Sequence, residues 1–320
     1  MELKKVLLIG GSGFVGSWIA NRLSERGIRV TIPTRHRDNT KQLILLPTVY
    51  TVEADVHDPQ ALASLVHGVD AVINLVGILH DKDSSQPYGK RFAAAHVELP
   101  RKILAAMKQA GVRRLVHMSA LKAASDAPSA YLRSKGDGEA MVCAAGGEFD
   151  ITVFRPSVIF GPGDAFLNTF ATLLRLFPIL PLAGAAARFQ PVYVGDVADA
   201  FAGCLGDHAT FGQIYELCGP KVYTLRELVE YTASLIGRRP LVIKLPDTLA
   251  RLQACMLGLL PNPPMSLDNL RSMQIDNTSN GHCNYPDWHP KRLEAVAPAY
   301  LSALSLQPRL DGYRCRARRS

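Results

Sequence analysis

The chain has 320 residues, 48% hydrophobic and 20% charged, enough apolar material for a globular protein with a sizeable core, as one large domain or two modest ones. The net charge is +8, and five arginines of the closing stretch RLDGYRCRARRS supply part of it. A basic tail can meet anionic lipid or an acidic partner, but no interleaving of aromatic and basic residues builds a nucleic-acid platform, so a nucleic-acid partner is not expected.

In chain order, the apolar run after Met1–Lys5 is too short for a signal peptide. It reads instead as a first strand, 5–9. Further strands are expected at 29–33, 49–53, 70–76, 113–118 and 150–155, with amphipathic helices at 14–26, 59–67, 91–110 and 131–145. This alternation predicts an α/β fold, a doubly wound parallel Rossmann sheet covered on both faces. Past residue 155 the alternation loosens. Residues 164–190 suggest a helix and a Pro/Gly/Ala-rich turn, and PVYVGDVADAFAGCL a short strand entering a helix near Asp196. GQIYELCG suggests another strand. Thr224 and Glu227 form a capping-box start and Gly237 a stop, and PLVIKLP follows as a strand. The remainder, with PNPPMSLDNLRSM and YPDWHP, reads as loop-rich.

The expected organisation is a dinucleotide-binding domain over 1–155 and a smaller C-terminal α/β lid or substrate domain over 156–310. A segment at about 192–218 is expected to return to the main sheet, with 311–320 as a basic tail. No apolar run is long enough to span a bilayer, because Arg and Pro interrupt TLLRLFPILPLAGAAA and LQACMLGLLP. These two segments read as packed core or as a surface for a partner. Six scattered cysteines without a CxxC pair suit reduced thiols in a cytoplasmic protein, and His282, Cys283 and His289 lack a zinc spacing, so no metal is expected.

The stretch VLLIGGSGFVG carries the strongest local signal. Gly10, Ser12, Gly13, Phe14, Val15 and Gly16 follow a strand and open a helix. Gly10 permits a tight turn, Gly13 lets backbone approach a pyrophosphate, and Gly16 lets helix and strand pack closely. The phosphates would then meet the helix N-terminus, where unpaired N–H groups and the helix dipole favour an anion. After the second strand come Thr34, Arg35, His36 and Arg37. Cations at this place suit a 2′-phosphate, so Arg35 and Arg37 point to NADP(H) over NAD(H). Asp55, after the third strand, is placed to accept from an adenine amine.

At this point the sequence resembles the extended or atypical branch of the short-chain dehydrogenase/reductase superfamily. The resemblance rests on GGSGFVG, ADVHD (54–58), NLVG (74–77), YLRSK (131–135), FRPSVIFGPGD (154–164) and VYVGDVADA (192–200). Within it, SAYLRSKGDGE, FRPSVIFGPGDAFLN and LPNPPMSLDNLRSMQIDN look most like the nucleotide-binding accessory subunits of respiratory complex I and their bacterial relatives. The resemblance implies that Val56, Leu75, Val76, Gly77, Met118, Pro156 and Val158 also line the cofactor. It implies as well that Tyr131, Lys135 and Ser119 form the catalytic group.

Tyr131 and Lys135 share a helix face at i, i+4. The ammonium is expected to lower the phenol pKa and to hydrogen-bond the nicotinamide ribose. The sequence departs from the family at two polar positions. Ala120 stands where catalytic members carry a second hydroxyl, leaving Ser119 or Ser129 as substitutes, and His96 stands where they carry Asn. Losing one polar partner for developing charge costs on the order of 10² to 10³ in rate.

The expected function is therefore NADP(H) binding, with the cofactor retained structurally or for redox sensing beside a quinone-linked respiratory partner. The expected location is cytoplasmic, extending to peripheral association with the inner membrane. The alternative is an active NAD(P)-dependent reductase, or a sugar-nucleotide epimerase or dehydratase, using Tyr131 and Lys135.

Overall fold

The computed structural model describes residues 3–83, 85–258, 265–279 and 285–302. His282, Cys283 and the basic tail lie outside the described residues. The chain divides into two compact units. The first comprises Met1–Pro156, Val194–Leu217 and Gly281–Trp288, and the second Ser157–Tyr193, Cys218–Asn280 and His289–Ser320.

The first unit is built on a seven-stranded sheet. Its strands are β1 (Lys5–Ile9), β2 (Arg29–Thr34), β3 (Val49–Glu53), β4 (Ala71–Asn74), β5 (Arg114–Met118), β6 (Asp150–Pro156) and β7 (Gln213–Leu217). Every pairing is parallel, in the order β7-β6-β5-β4-β1-β2-β3. β1 and β4 are buried along almost their whole length and read as near-continuous apolar runs, as a sheet covered on both faces requires. The chain runs outward from β1 through β2 to β3, then returns to place β4 against the other side of β1. That reversal opens a crevice at the carboxyl ends of β1 and β4.

The helices of this unit are α1 (Phe14–Glu25), α2 (Pro59–Val66), α3 (Leu99–Ala110), α4 (Ala130–Ala144) and α5 (Val194–Gly203). Ile103 and Met107 of α3 and Leu62 and Val66 of α2 bury against Leu7, Val72, Leu115 and Val153 of the strands. The pattern over 91–110 predicts one continuous helix, but the structure differs. One turn at Lys90–Phe92 leads into a π-helical segment, Ala93–Glu98, before α3 begins. Pro100 supplies the reason. It has no N–H to offer the His96 carbonyl four residues back, so the regular ladder fails there.

Among the described residues, the second unit carries three two-stranded ribbons. Ile159–Phe160 pairs with Val192–Tyr193, Arg188–Phe189 with Tyr223–Thr224, and Ile179–Leu182 with Leu241–Lys244. Its core joins Leu167 and Leu174 of helix Phe166–Leu176 to Leu225 and Leu228 of helix Leu225–Leu235. The Thr224/Glu227 capping box is formed, and Gly237 ends the latter helix at φ 70°. The region expected to be loop-rich holds a short helix, Leu267–Ser272, capped by Ser266 and Asn269, and helix Leu293–Leu301. Among the described residues, no helix is long and apolar enough to cross a membrane.

Candidate functional site

Because the strands of the first unit are parallel, the residues that follow them share one edge of the sheet. Gly10 follows β1, Arg35 follows β2, Asp55 lies two past β3, Leu75–Gly77 follow β4 and Ser119 follows β5. Met118 and Pro156 end β5 and β6. Val158 instead belongs to the second unit, where its N–H donates to Asn277 Oδ1 at 3.1 Å.

The glycine loop is spatially constrained. Gly10 adopts φ 84°, and a Cβ there would lie 3.3 Å from the Leu75 and Val76 backbone. A Cβ on Gly16 would lie 2.5 Å from the Gly10 carbonyl oxygen and from Gly11 Cα, so α1 touches the loop through bare backbone. Gly13 is the N-cap of α1 and gives the first turn no side-chain cap. That turn, with Phe14 and Val15, holds no acidic residue. Ser12 is half-buried and Gly13 exposed. The leading N–H groups of α1 therefore have no side-chain cap and no acid in their first turn, the condition under which a helix N-terminus favours an anion.

Beyond Gly77 the site continues through an ordered chain of contacts. His96 Nε2 accepts from the Ile78 N–H at 3.1 Å, and its Nδ1–H donates to Ser134 Oγ at 2.8 Å. Ser134 in turn donates to the Tyr131 carbonyl at 2.9 Å. These partners require a neutral imidazole, and burial with the nearby Lys135 charge pushes its pKa down to about 2. The His96 ring stands edge-on to Tyr131, with centroids 5.6 Å apart, and stacks on Phe92 at 5.4 Å. The carbonyl that Pro100 leaves without an N–H abuts Gly138 of α4, where a Cβ would collide with it.

Lys135 is buried and donates to the Met118 carbonyl at 2.6 Å. Burial lowers its pKa to about 8, opposed by Glu139 one turn further along α4. Glu139 is itself gripped by both arms of Arg155. Tyr131 is half-buried, and desolvation raises its phenol to about 12. The expectation that Lys135 lowers this phenol therefore fails in the protein alone: desolvation dominates, and the ammonium is committed to a backbone oxygen.

Ser119 is buried, and its Oγ has no hydrogen-bond partner among the described residues. Ser129 does not compete for that role, because it is the N-cap of α4 and accepts from the Leu132 N–H at 3.2 Å. Below Ser119, Asn74 donates to His117 Nδ1 at 3.2 Å and accepts from the Val76 N–H, tying the ends of β4 and β5 together. Burial and Lys135 hold His117 near a pKa of 3. The Tyr131–Lys135 spacing was visible in the sequence, whereas Asn74 and His117 meet only once β4 and β5 pair in register.

Past β3, Asp55 is exposed and its Oδ1 accepts from the His57 N–H at 2.9 Å, while Asp58 caps α2. Val56, between them, is half-buried. Arg37 lies 3.7 Å from Glu53, both exposed. Arg35 is exposed and forms no ion pair among the described residues.

A family model, the NAD dependent epimerase/dehydratase family, matches residues 6–218. The chain belongs to the NAD dependent epimerase/dehydratase family. The match spans the sheet and the glycine loop, Tyr131 and Lys135. The chain is also 31% identical over 285 residues to NADH dehydrogenase [ubiquinone] 1 alpha subcomplex subunit 9, mitochondrial, of Arabidopsis thaliana, covering 84% of this chain and 69% of the plant protein. It is 27% identical to ceramide reductase of Caulobacter vibrioides, covering 76% and 74%. Among solved structures, dTDP-glucose 4,6-dehydratase DesIV of Streptomyces venezuelae, with NAD and TYD bound, superposes with a TM-score of 0.72 at 22% identity, covering 93% and 95%. That likeness shows the fold.

Proposed function

We propose that this protein binds a nicotinamide dinucleotide and retains it, serving a respiratory assembly akin to that of its plant relative rather than turning over a small substrate. The observation that carries the reading is the first turn of α1. Bare glycine backbone, an N-terminus without a side-chain cap and no acid in that first turn fit a pyrophosphate. Gly10, Ser12, Gly13, Phe14, Val15 and Gly16 would hold the phosphates. Asp55 and Val56 would flank the adenine, and Leu75, Val76, Gly77, Met118 and Pro156 would line the path to the nicotinamide. When bound, the nicotinamide would supply hydride chemistry.

Arg35 favours NADP(H) over NAD(H), because it lies beyond β2 with no carboxylate paired to it, whereas Arg37 already faces Glu53. Retention is favoured over turnover by the state of the proton-transfer group. Tyr131 is held as a phenol, Lys135 donates to a carbonyl, and His96 is spent on Ile78 and Ser134. One observation supports the alternative, an active reductase: the Ser119 hydroxyl is free to meet a substrate oxygen. Purified protein incubated with NADPH and then gel-filtered is expected to keep the nucleotide, and to show no turnover with ketones, quinones or sugar nucleotides. Turnover abolished by Tyr131→Phe would overturn the retention reading.

A further inference from the structure

Helix Asp247–Gly258, in the second unit, buries two alanines and exposes three of its large apolar residues. Ala250 and Ala254 are 2% and 1% exposed, whereas Leu249, Leu252 and Met256 are 50%, 56% and 65% exposed. These three lie at i, i+3 and i+7, on one face. A helix whose only partner was its own core would bury Leu and Met first, since burying such a side chain is worth far more than burying alanine.

The neighbouring ribbon repeats the inversion. Gln253 donates to the Pro181 carbonyl at 3.1 Å, which fixes the helix beside strand Ile179–Leu182. In the register of that ribbon, Ile179 sits opposite Leu241 and Pro181 opposite Ile243, all four exposed, while Leu180 and Val242 are buried. Leu176 and Phe177, just before the strand, are exposed as well. The apolar surface thus runs from helix to ribbon, beyond what scattered exposed leucines would account for.

Its charge has one sign. Arg175, Arg238, Arg239, Lys244 and Arg251 lie within a few residues of these apolar positions in sequence, all exposed, and none is ion-paired among the described residues. Across 173–182 and 238–258 the sequence holds these five cations against the single carboxylate of Asp247. Bulky apolar side chains interleaved with unpaired cations match an anionic bilayer surface, where the former enter the headgroup boundary and the latter meet lipid phosphates. A protein-docking core is instead depleted in charge.

We propose that this face docks the protein onto an anionic phospholipid membrane as a peripheral, non-spanning contact. The proposal does not depend on nucleotide binding. The test is co-sedimentation of the full chain with vesicles of phosphatidylcholine alone, or of phosphatidylcholine mixed with phosphatidylglycerol. Binding is expected only to the mixed vesicles and is expected to weaken with salt. Leu249→Ser/Leu252→Ser/Met256→Ser and, separately, Arg238→Glu/Arg239→Glu are each expected to lower binding about tenfold while leaving the thermal midpoint and NADPH affinity unchanged.

No binding to mixed vesicles at low salt overturns the proposal. So does undiminished binding in both variants, which would assign the lipid contact to another region such as the basic tail. If the variants lose only self-association, or only a cross-link to another protein, the face is a protein interface and the lipid assignment falls.

Discussion

At the scale of single residues, the site is set by where a side chain is absent and by where a charge is suppressed. Gly16 is the clearest case of the first. Gly16→Ala places a methyl 2.5 Å from backbone on two sides, where no side chain can yield. The expected result is a loss of about 1 to 3 kcal/mol in urea unfolding, together with lost nucleotide binding. Gly27→Ala, with open space around it but φ 71°, would cost less and leave binding intact. The buried histidines illustrate the second. His96 and His117 titrate near 2 and 3 in the fold against an ordinary 6.5. Folding therefore keeps both neutral, and below pH 6.5 the unfolded chain takes up protons that the folded chain refuses. Their contribution is fully present above pH 6.5 and is lost as pH falls toward their folded values. The expected slope is about 2 to 3 kcal/mol per pH unit between pH 6 and 4. It should roughly halve in His96→Asn, measured by urea unfolding across that range. Lys135 acts in the same direction at alkaline pH. Its folded value near 8 lies below its ordinary 10.5, so the penalty for charging it inside the fold is relieved as pH rises through that window.

At the scale of elements, the π-helical segment is what brings His96 to Tyr131. Pro100 frees the His96 carbonyl, and Gly138 lets α4 approach it. Gly138→Ala must push the two elements apart. It is expected to destabilise by about 1 to 3 kcal/mol and to weaken the His96–Ser134 bond, while Gly147→Ala, with nothing within 4 Å, is close to neutral. Parallel denaturation of the two variants checks this. The strands, the glycine loop and the capping-box helix were legible in the sequence because local pattern determines them. The break in 91–110 was not, because the 3.6-residue pattern continues through the π segment and only Pro100 hints at it. Strand Ile179–Leu182 escaped notice because its partner, Leu241–Lys244, lies some sixty residues away. Of the site, Tyr131, Lys135 and Ser119 were readable through the family resemblance. Asn74, His117 and the Glu139–Arg155 pair depend on strand register and packing that no local window records.

At the scale of the whole molecule, a protein that keeps a dinucleotide uses it as part of its own stability. A ligand present at a hundredfold excess over its Kd stabilises the folded state by about 2.7 kcal/mol. For a chain of this size that corresponds to a rise in Tm of roughly 4 °C. The comparison among nucleotides and variants separates the parts of the site. NADPH should raise Tm further than NADH at equal concentration, because Arg35 pairs with no carboxylate among the described residues. Arg35→Ser should bring the two shifts together, and Arg37→Ser should change them less, since that side chain already faces Glu53. Tyr131→Phe should leave both shifts in place, because the phenol would serve proton transfer rather than retention. Equal shifts for NADPH and NADH in the unaltered chain would remove the argument for the 2′-phosphate while leaving the proposed phosphate site at α1 standing. No shift with either nucleotide would remove that site as well.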